Sequence, residues 1–290
     1  MSTADFTTAL TRVDRAVAHR EELWAAALVH KTEHPLAQRF QTIDSAVCAV
    51  ISATSPFPVE VAVIFGEWLY NLRAALDALI YELAVDNTDQ DPPPNADVLQ
   101  YPICDTPEKF EKTANRKRGY LCDLSVWART GIEHTQPYYI PTGSKGHALW
   151  WLSELAKLDR HRRHHLLAWR VSAIEVRASG DKFIEEGFRI CDRQWSFISG
   201  TAPLELVALR RRSGSGTLST HDLDVAYTIQ PDLPDWVDDA VPGFGRDCRL
   251  DQRMVTIEDV VRSIIEQFHD RILDQEPWSE PQNSQDTGRE

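Results

Sequence analysis

Six consecutive cationic or imidazole side chains, Arg160-His161-Arg162-Arg163-His164-His165, are the densest reactive cluster in this 290-residue chain. Guanidinium groups grip phosphate or carboxylate oxygens two at a time, and an imidazole moves protons near neutral pH. The combination suits metal-independent phosphoryl chemistry. Arg160, Arg162 and Arg163 would neutralise phosphate, and His161 or His165 would serve as acid and base for attack by a ribose 2′-hydroxyl. A second group, Asn71, Arg73 and Asp77, sits on another predicted helix. With Asp159 and Arg162 it can form bidentate pairs, Asp77 with Arg162 or Asp159 with Arg73.

Two readings follow. In one, the charges form a buried clasp that fixes two helices, and the chain is a non-catalytic, self-associating scaffold, a homodimer in its simplest form. In the other, the cluster is an open pocket for RNA or nucleotide phosphate. There His161, His165 and Arg160 are catalytic, and Asn71, Arg73, Asp77, Asp159, Arg162 and Arg163 bind substrate.

Other chemistries lack their residues. His161, His164 and His165 share helical spacings of three and four, but HRRHH is not HExxH, and the flanking arginines repel a divalent cation. The reading therefore includes no metal and no cofactor, and treats these histidines otherwise as part of a solvated cationic face. No G-x-S-x-G, Walker loop or dinucleotide fingerprint is present. Thr142-Gly-Ser-Lys-Gly is the one phosphate-friendly loop, an anion nest ahead of the central helix. Five scattered cysteines, odd in number and never in CxxC, fit a reducing cytoplasm and argue against disulfides.

The elements that must position these groups are legible from periodicity. The spacing predicts a helix from about Asp5 to His34, with Leu10, Val13, Val17, Trp24, Ala27 and Leu28 inside and Pro35 as its end. One or two strands follow near 38–53, rich in β-branched residues. A second helix over about Pro58 to Val85 carries an apolar stripe from Val61 through Phe65, Trp68, Leu72 and Leu76 to Leu83. Thr106 caps a short helix, and Leu121 to Thr130 suggests another. His147 to Arg170 reads as one long amphipathic helix, with Leu149, Leu152, Leu155, Leu166 and Leu167 on one face and Asp159 paired to Arg163 one turn on.

After it the period shortens to two. Short strands are expected in VSAIEVRAS, KFIEEGFRI, QWSFIS, PLELVALRR and DLDVAYTIQ, with Ser213-Gly-Ser-Gly as a hairpin or tip. A last amphipathic helix starts at Thr256 as N-cap. The expected fold is α+β, a bundle of three to four long helices packed with an antiparallel sheet. Its parts are a mainly helical 1–170, a β-rich 171–254, a closing helix at 255–275 and a disordered tail at 276–290.

The formal net charge of −13 argues against broad nucleic-acid affinity. Pro231 to Glu290 alone carries −9, so the first 230 residues carry only −4. Local basic clusters at Arg116-Lys117-Arg118, Arg160–Arg163 and Arg210–Arg212 leave room for an anion site. No apolar run reaches a membrane span, and the N-terminus reads as no secretion signal.

Tyr70-Asn-Leu-Arg-Ala-Ala-Leu-Asp-Ala-Leu79 and Leu158-Asp-Arg-His-Arg-Arg163 resemble a large group of uncharacterised bacterial proteins. Their helix reads H-N-L-R-S-A-L-D-H-L, and a D-K-H-R segment follows later. The matching positions are Asn71, Leu72, Arg73, Ala75, Leu76, Asp77, Asp159, His161 and Arg162, with Arg160 for the lysine. Tyr70 and Ala78 stand where that group often has histidines, so those histidines are not available here. The resemblance implies a shared fold and brings no activity. Arg160, four residues and His165 also resemble the R-x(4–6)-H motif of HEPN ribonucleases, which are helical bundles. In one unbroken helix, residues five apart diverge by about 140°. The motif therefore requires the helix to end or kink near Arg163.

Overall fold

A computed structural model describes residues 4–43, 46–141, 143–161, 165–191, 196–216, 222–237, 248–274 and 278. It is an α+β fold with antiparallel sheets. In chain order the helices are α1 (Thr7–Glu33), α2 (Val59–Thr88), α3 (Pro107–Ala114), α4 (Val126–His134), α5 (Ala148–His161), α6 (Pro234–Val237) and α7 (Leu250–Asp274). The strands are β1 (Ala37–Ile43), β2 (Ala46–Ser52), β3 (Ala168–Ala178), β4 (Phe183–Ile190), β5 (Phe197–Ile198), β6 (Leu204–Arg211) and β7 (Leu223–Asp232). No helix among the described residues is long and apolar enough to cross a membrane.

The chain forms two compact units, neither of them continuous in sequence. The first is Met1–His19, Glu67–His161 and Met254–Glu290; the second is Arg20–Gly66 and Arg162–Arg253.

Along the long helices, periodicity decides which residues go inside. Trp68, Leu69, Leu72, Leu76, Leu79 and Leu83 of α2 are all buried, as their spacing requires. On α1 the stripe differs from the expected one. Ala9, Val13, Ala16, Leu23, Ala27 and His30 are buried, whereas Leu28 is exposed and Leu10, Val17 and Trp24 are only half-buried. Small alanines occupy the inward positions, and a scan for large apolar residues turns the helix slightly wrong. α3 starts at its predicted cap, where Thr106 accepts from the Lys109 N–H. α4 begins later than expected, because Ser125 caps it by accepting from Ala128 N–H.

α7 begins two turns before Thr256, which lies inside the helix. Gln252 Oε1 accepts from Arg249 N–H at 3.0 Å and supplies the start signal, half of a capping box. Of the predicted disordered tail, Trp278 is described and the rest lies outside the described residues. Its indole packs on Trp127 and Phe268, with the Arg271 guanidinium 4.5 Å from the ring centroid. A Cβ at position 131 would overlap that indole, so this contact requires Gly131.

The largest departure from the sequence reading is in the central segment. Helix α5 spans 14 residues and ends at His161; Ala168 already begins β3. Leu166 is exposed, and Trp169, Arg170 and Val171 are strand residues buried between β5 and β7. A short apolar run such as Leu-Leu-Ala-Trp fits either period. Crowding of like charges from Arg160 onward disfavours another helical turn.

The second unit holds both sheets, ordered β1-β2-β6-β4 and β5-β3-β7. They share one core. Val47, Ala49, Ile51, Leu206 and Leu209 from the first sheet pack with Trp169, Val171, Val225 and Ile229 from the second. The predicted strand segment near 38–53 is the β1–β2 hairpin, pairing Ala37 with Ser52 through Ile43 with Ala46. Ser213–Gly216 does not close a hairpin, because β6 and β7 lie in different sheets. Gly214 and Gly216 take φ of 78° and 69° there, the left-handed backbone that glycine adopts without strain.

Candidate functional site: a cationic cleft

Arg73 and Asp77 stand one turn apart on α2, with Nη2 and Oδ1 3.8 Å apart. Both reach a segment, Tyr101 to Asp105, that belongs to no helix or strand. A buried backbone without a ladder must find other hydrogen-bond partners, and here side chains supply them. Asp77 Oδ1 accepts from Tyr101 N–H at 2.9 Å, and Arg73 Nη2 donates to Tyr101 C=O at 3.0 Å. Gln136 is buried just after α4. Its Oε1 accepts from Cys104 N–H at 2.8 Å, and its Nε2 donates to Pro102 C=O at 3.1 Å. Ser144 Oγ donates to Asp105 C=O at 2.8 Å. The Tyr101 hydroxyl pairs with that of Thr135, and burial pushes its pKa up. The arginine and aspartate singled out in the sequence therefore hold a loop by its peptide groups.

That loop forms one wall of a cleft of about 400 Å³, within the size range of small-molecule sites. α3 and the turn after it contribute Lys109, Lys112 and Arg116, spaced three and four apart so that they share a face. α5 contributes Trp150, Glu154 and Lys157 by the same rule. Lys109 is taken by Asp105 at 2.6 Å, and Lys157 lies 3.6 Å from Glu154. The hydrogen bond from Lys109 holds the Asp105 carboxyl below its ordinary range and raises Lys109 in turn. Among the described residues, Lys112 and Arg116 have no acidic partner. The cleft thus sets four cations against two carboxylates in a chain whose net charge is −13. Cys104 on the wall is a thiol that burial drives up in pKa, a poor nucleophile.

The other predicted site residues fall elsewhere. Asn71 points away from Arg73 and Asp77; its Nδ2 donates to Glu67 C=O at 2.9 Å, and it borders a depression with Thr8, Thr11 and Arg15. Asp159 is half-buried on α5. His165 belongs to the second unit and is not part of a solvated face. It is 2% exposed and stands edge-on to Phe65, with ring centroids 5.3 Å apart. Arg160 and His161 close α5. Arg162, Arg163 and His164 lie outside the described residues, as do the pairs Asp77–Arg162 and Asp159–Arg163. Thr142 of the expected anion nest also lies outside, but its neighbour Lys145 sets Nζ 5.5 Å over the Trp150 ring. Among the described residues no group of three or more His, Cys, Asp or Glu could hold a metal ion.

Sequence reasoning missed two groups. The cleft was legible as Lys109, Lys112, Arg116 and Trp150, Glu154, Lys157, each at helical spacing, but nothing in the sequence says that the two stripes face each other. The second unit buries Asp232 between two arginines. Arg170 Nη1 donates to Oδ2 at 3.0 Å, and Arg253 Nη2 donates to Oδ1, which also accepts from Leu233 N–H at 2.7 Å. Trp236 covers the Arg253 guanidinium at 4.5 Å. Desolvation lowers the Arg253 pKa, with Asp232 opposing the shift. This triad is remote in sequence, and its members sit in strand and helix termini that carry no motif. No known family model, curated protein or solved structure matches this chain.

Proposed function

We propose that this chain binds a phosphate-bearing ligand, RNA or a nucleotide, in the cleft between α3 and α5, and that Arg73 and Asp77 are positioning residues for its wall. The carrying observation is that Lys112 and Arg116 stand without an acidic partner beside two further lysines. A solvated charge run is the commoner use of surface lysines. Here, however, the cations converge from two elements on one concavity. The overall negative charge repels polyanions at long range, so binding depends on this local field and weakens with salt. Titrating the full chain with inorganic tripolyphosphate at low salt tests the reading. Binding that Lys112→Ala/Arg116→Ala weakens by at least about tenfold supports it, about 0.7 kcal/mol for each charge-assisted contact. Unchanged affinity in the double variant removes it.

A second reading is a metal-independent ribonuclease, with Arg160, Arg162 and Arg163 on phosphate and His161 or His165 as acid and base. The end of α5 at His161 removes the one-helix objection to it, although His165, 2% exposed, would have to become accessible to act on RNA. Purified protein incubated with RNA in chelator should then leave cyclic-phosphate ends. Absence of cleavage, or cleavage indifferent to Arg160→Ala and His165→Ala, excludes this reading.

A further inference from the structure

We infer that the ligand of the cleft is a nucleotide, with its phosphates on Lys112 and Arg116 and its base stacked on Trp150 beside Tyr120; the inference rests on the phosphate reading above. The two walls differ in chemistry. Lys112 and Arg116 present unpaired positive charge at the end of α3. The α5 wall presents Trp150 one turn from Glu154, whose carboxylate is held by Lys157. With Asp105 also ionised, a ligand charged along its whole length would meet two carboxylates. A ligand with one anionic end and one neutral, flat, polar end meets complementary groups throughout.

The aromatic side chains point the same way. Trp150 and Trp151 are adjacent, yet Trp151 is buried and Trp150 is half-exposed on the cleft lining, with the Lys145 Nζ 5.5 Å over its ring. Tyr120 leaves 41% of its surface exposed on the same cleft. A site for inorganic anions has no use for open rings, whereas rings interleaved with cations are the pattern by which proteins hold nucleobases and their phosphates. On the same lining, the Ser153 hydroxyl can exchange hydrogen bonds with a base edge or a sugar, and the Thr113 hydroxyl, which donates to Lys109 C=O at 2.9 Å, can accept one. The volume of about 400 Å³ suits one such small molecule.

The test compares adenosine triphosphate with inorganic tripolyphosphate on the full chain in metal-free buffer. Tripolyphosphate carries the same three phosphoryl groups and at least as much charge, so charge alone gives it the higher affinity. Stacking reverses that order, with the nucleotide binding about tenfold more tightly or better. Trp150→Ala should abolish the nucleotide's advantage and leave tripolyphosphate binding unchanged, while Trp150→Phe keeps most of it. Tyr120→Ala, at a surface position that tolerates truncation, should reduce the advantage as well. Equal affinities, or equal losses for both probes in Trp150→Ala, overturn the nucleotide inference and leave the phosphate reading standing. Failure of both probes to bind overturns the two together.

Discussion

Replacing Asp77 by alanine asks what the arginine–aspartate pair of α2 does. The Asp77 carboxylate accepts from the N–H of Tyr101, a residue with no exposed surface. Without it a buried peptide N–H loses its partner, a cost of about 1–3 kcal/mol. Arg73 would also lose the carboxylate 3.8 Å away. That contribution is small, because the Asp77 side chain is 35% exposed and solvent screens the pair. The combined loss is about 2–3 kcal/mol, or roughly 3–5 °C in Tm for a chain of this size. Asp77→Asn, which keeps an acceptor but no charge, should recover part of it. A double-mutant cycle with Arg73→Ala, read by urea unfolding, should show coupling of about 1 kcal/mol, since both side chains hold one peptide unit. A shift below about 1 °C, or coupling below about 0.5 kcal/mol, refutes the clasp.

Two further outcomes follow from the buried charges. Asp232→Ala leaves the Arg170 and Arg253 guanidiniums, both buried, without their shared carboxylate. It should cost about 3–5 kcal/mol in denaturant unfolding, and a loss under 1 kcal/mol contradicts the arrangement. His147 Nδ1 accepts from Leu149 N–H at 3.1 Å at the start of α5, and burial holds the imidazole below its ordinary pKa of 6.5. Its contribution to stability is complete above the unfolded-state value and is lost as pH falls through the lower folded value. His147→Asn keeps an acceptor there and does not titrate. The variant should flatten part of the fall in Tm as pH drops below 6.5, and an unchanged slope counts against the role.

The long elements were legible because they obey one period throughout. α2 shows every predicted apolar position inside, and β7 follows the alternation of Leu223, Val225, Tyr227 and Ile229. Periodicity failed where two periods overlap, at Leu166 to Trp169, and where alanine and histidine fill a buried face, as on α1. The start of α7 was misplaced because its signal is Gln252 reaching back to Arg249, not a Ser or Thr cap. The site was only half legible. Arg73 and Asp77 stood out as charges beside an apolar stripe, but their partner is the backbone of Tyr101, and peptide groups carry no sequence signal. Lys112, Arg116 and Trp150 likewise read as ordinary surface residues until the chain brings two helices to one concavity.

The salt dependence of binding tests the cationic cleft most directly. For a short single-stranded RNA, the slope of log K against log salt should fall in magnitude by about 0.7 for each cation removed, hence by about 1.4 in Lys112→Ala/Arg116→Ala. An RNA affinity whose salt slope is the same in the native chain and in the double variant would place the phosphates elsewhere and contradict the assignment of this cleft.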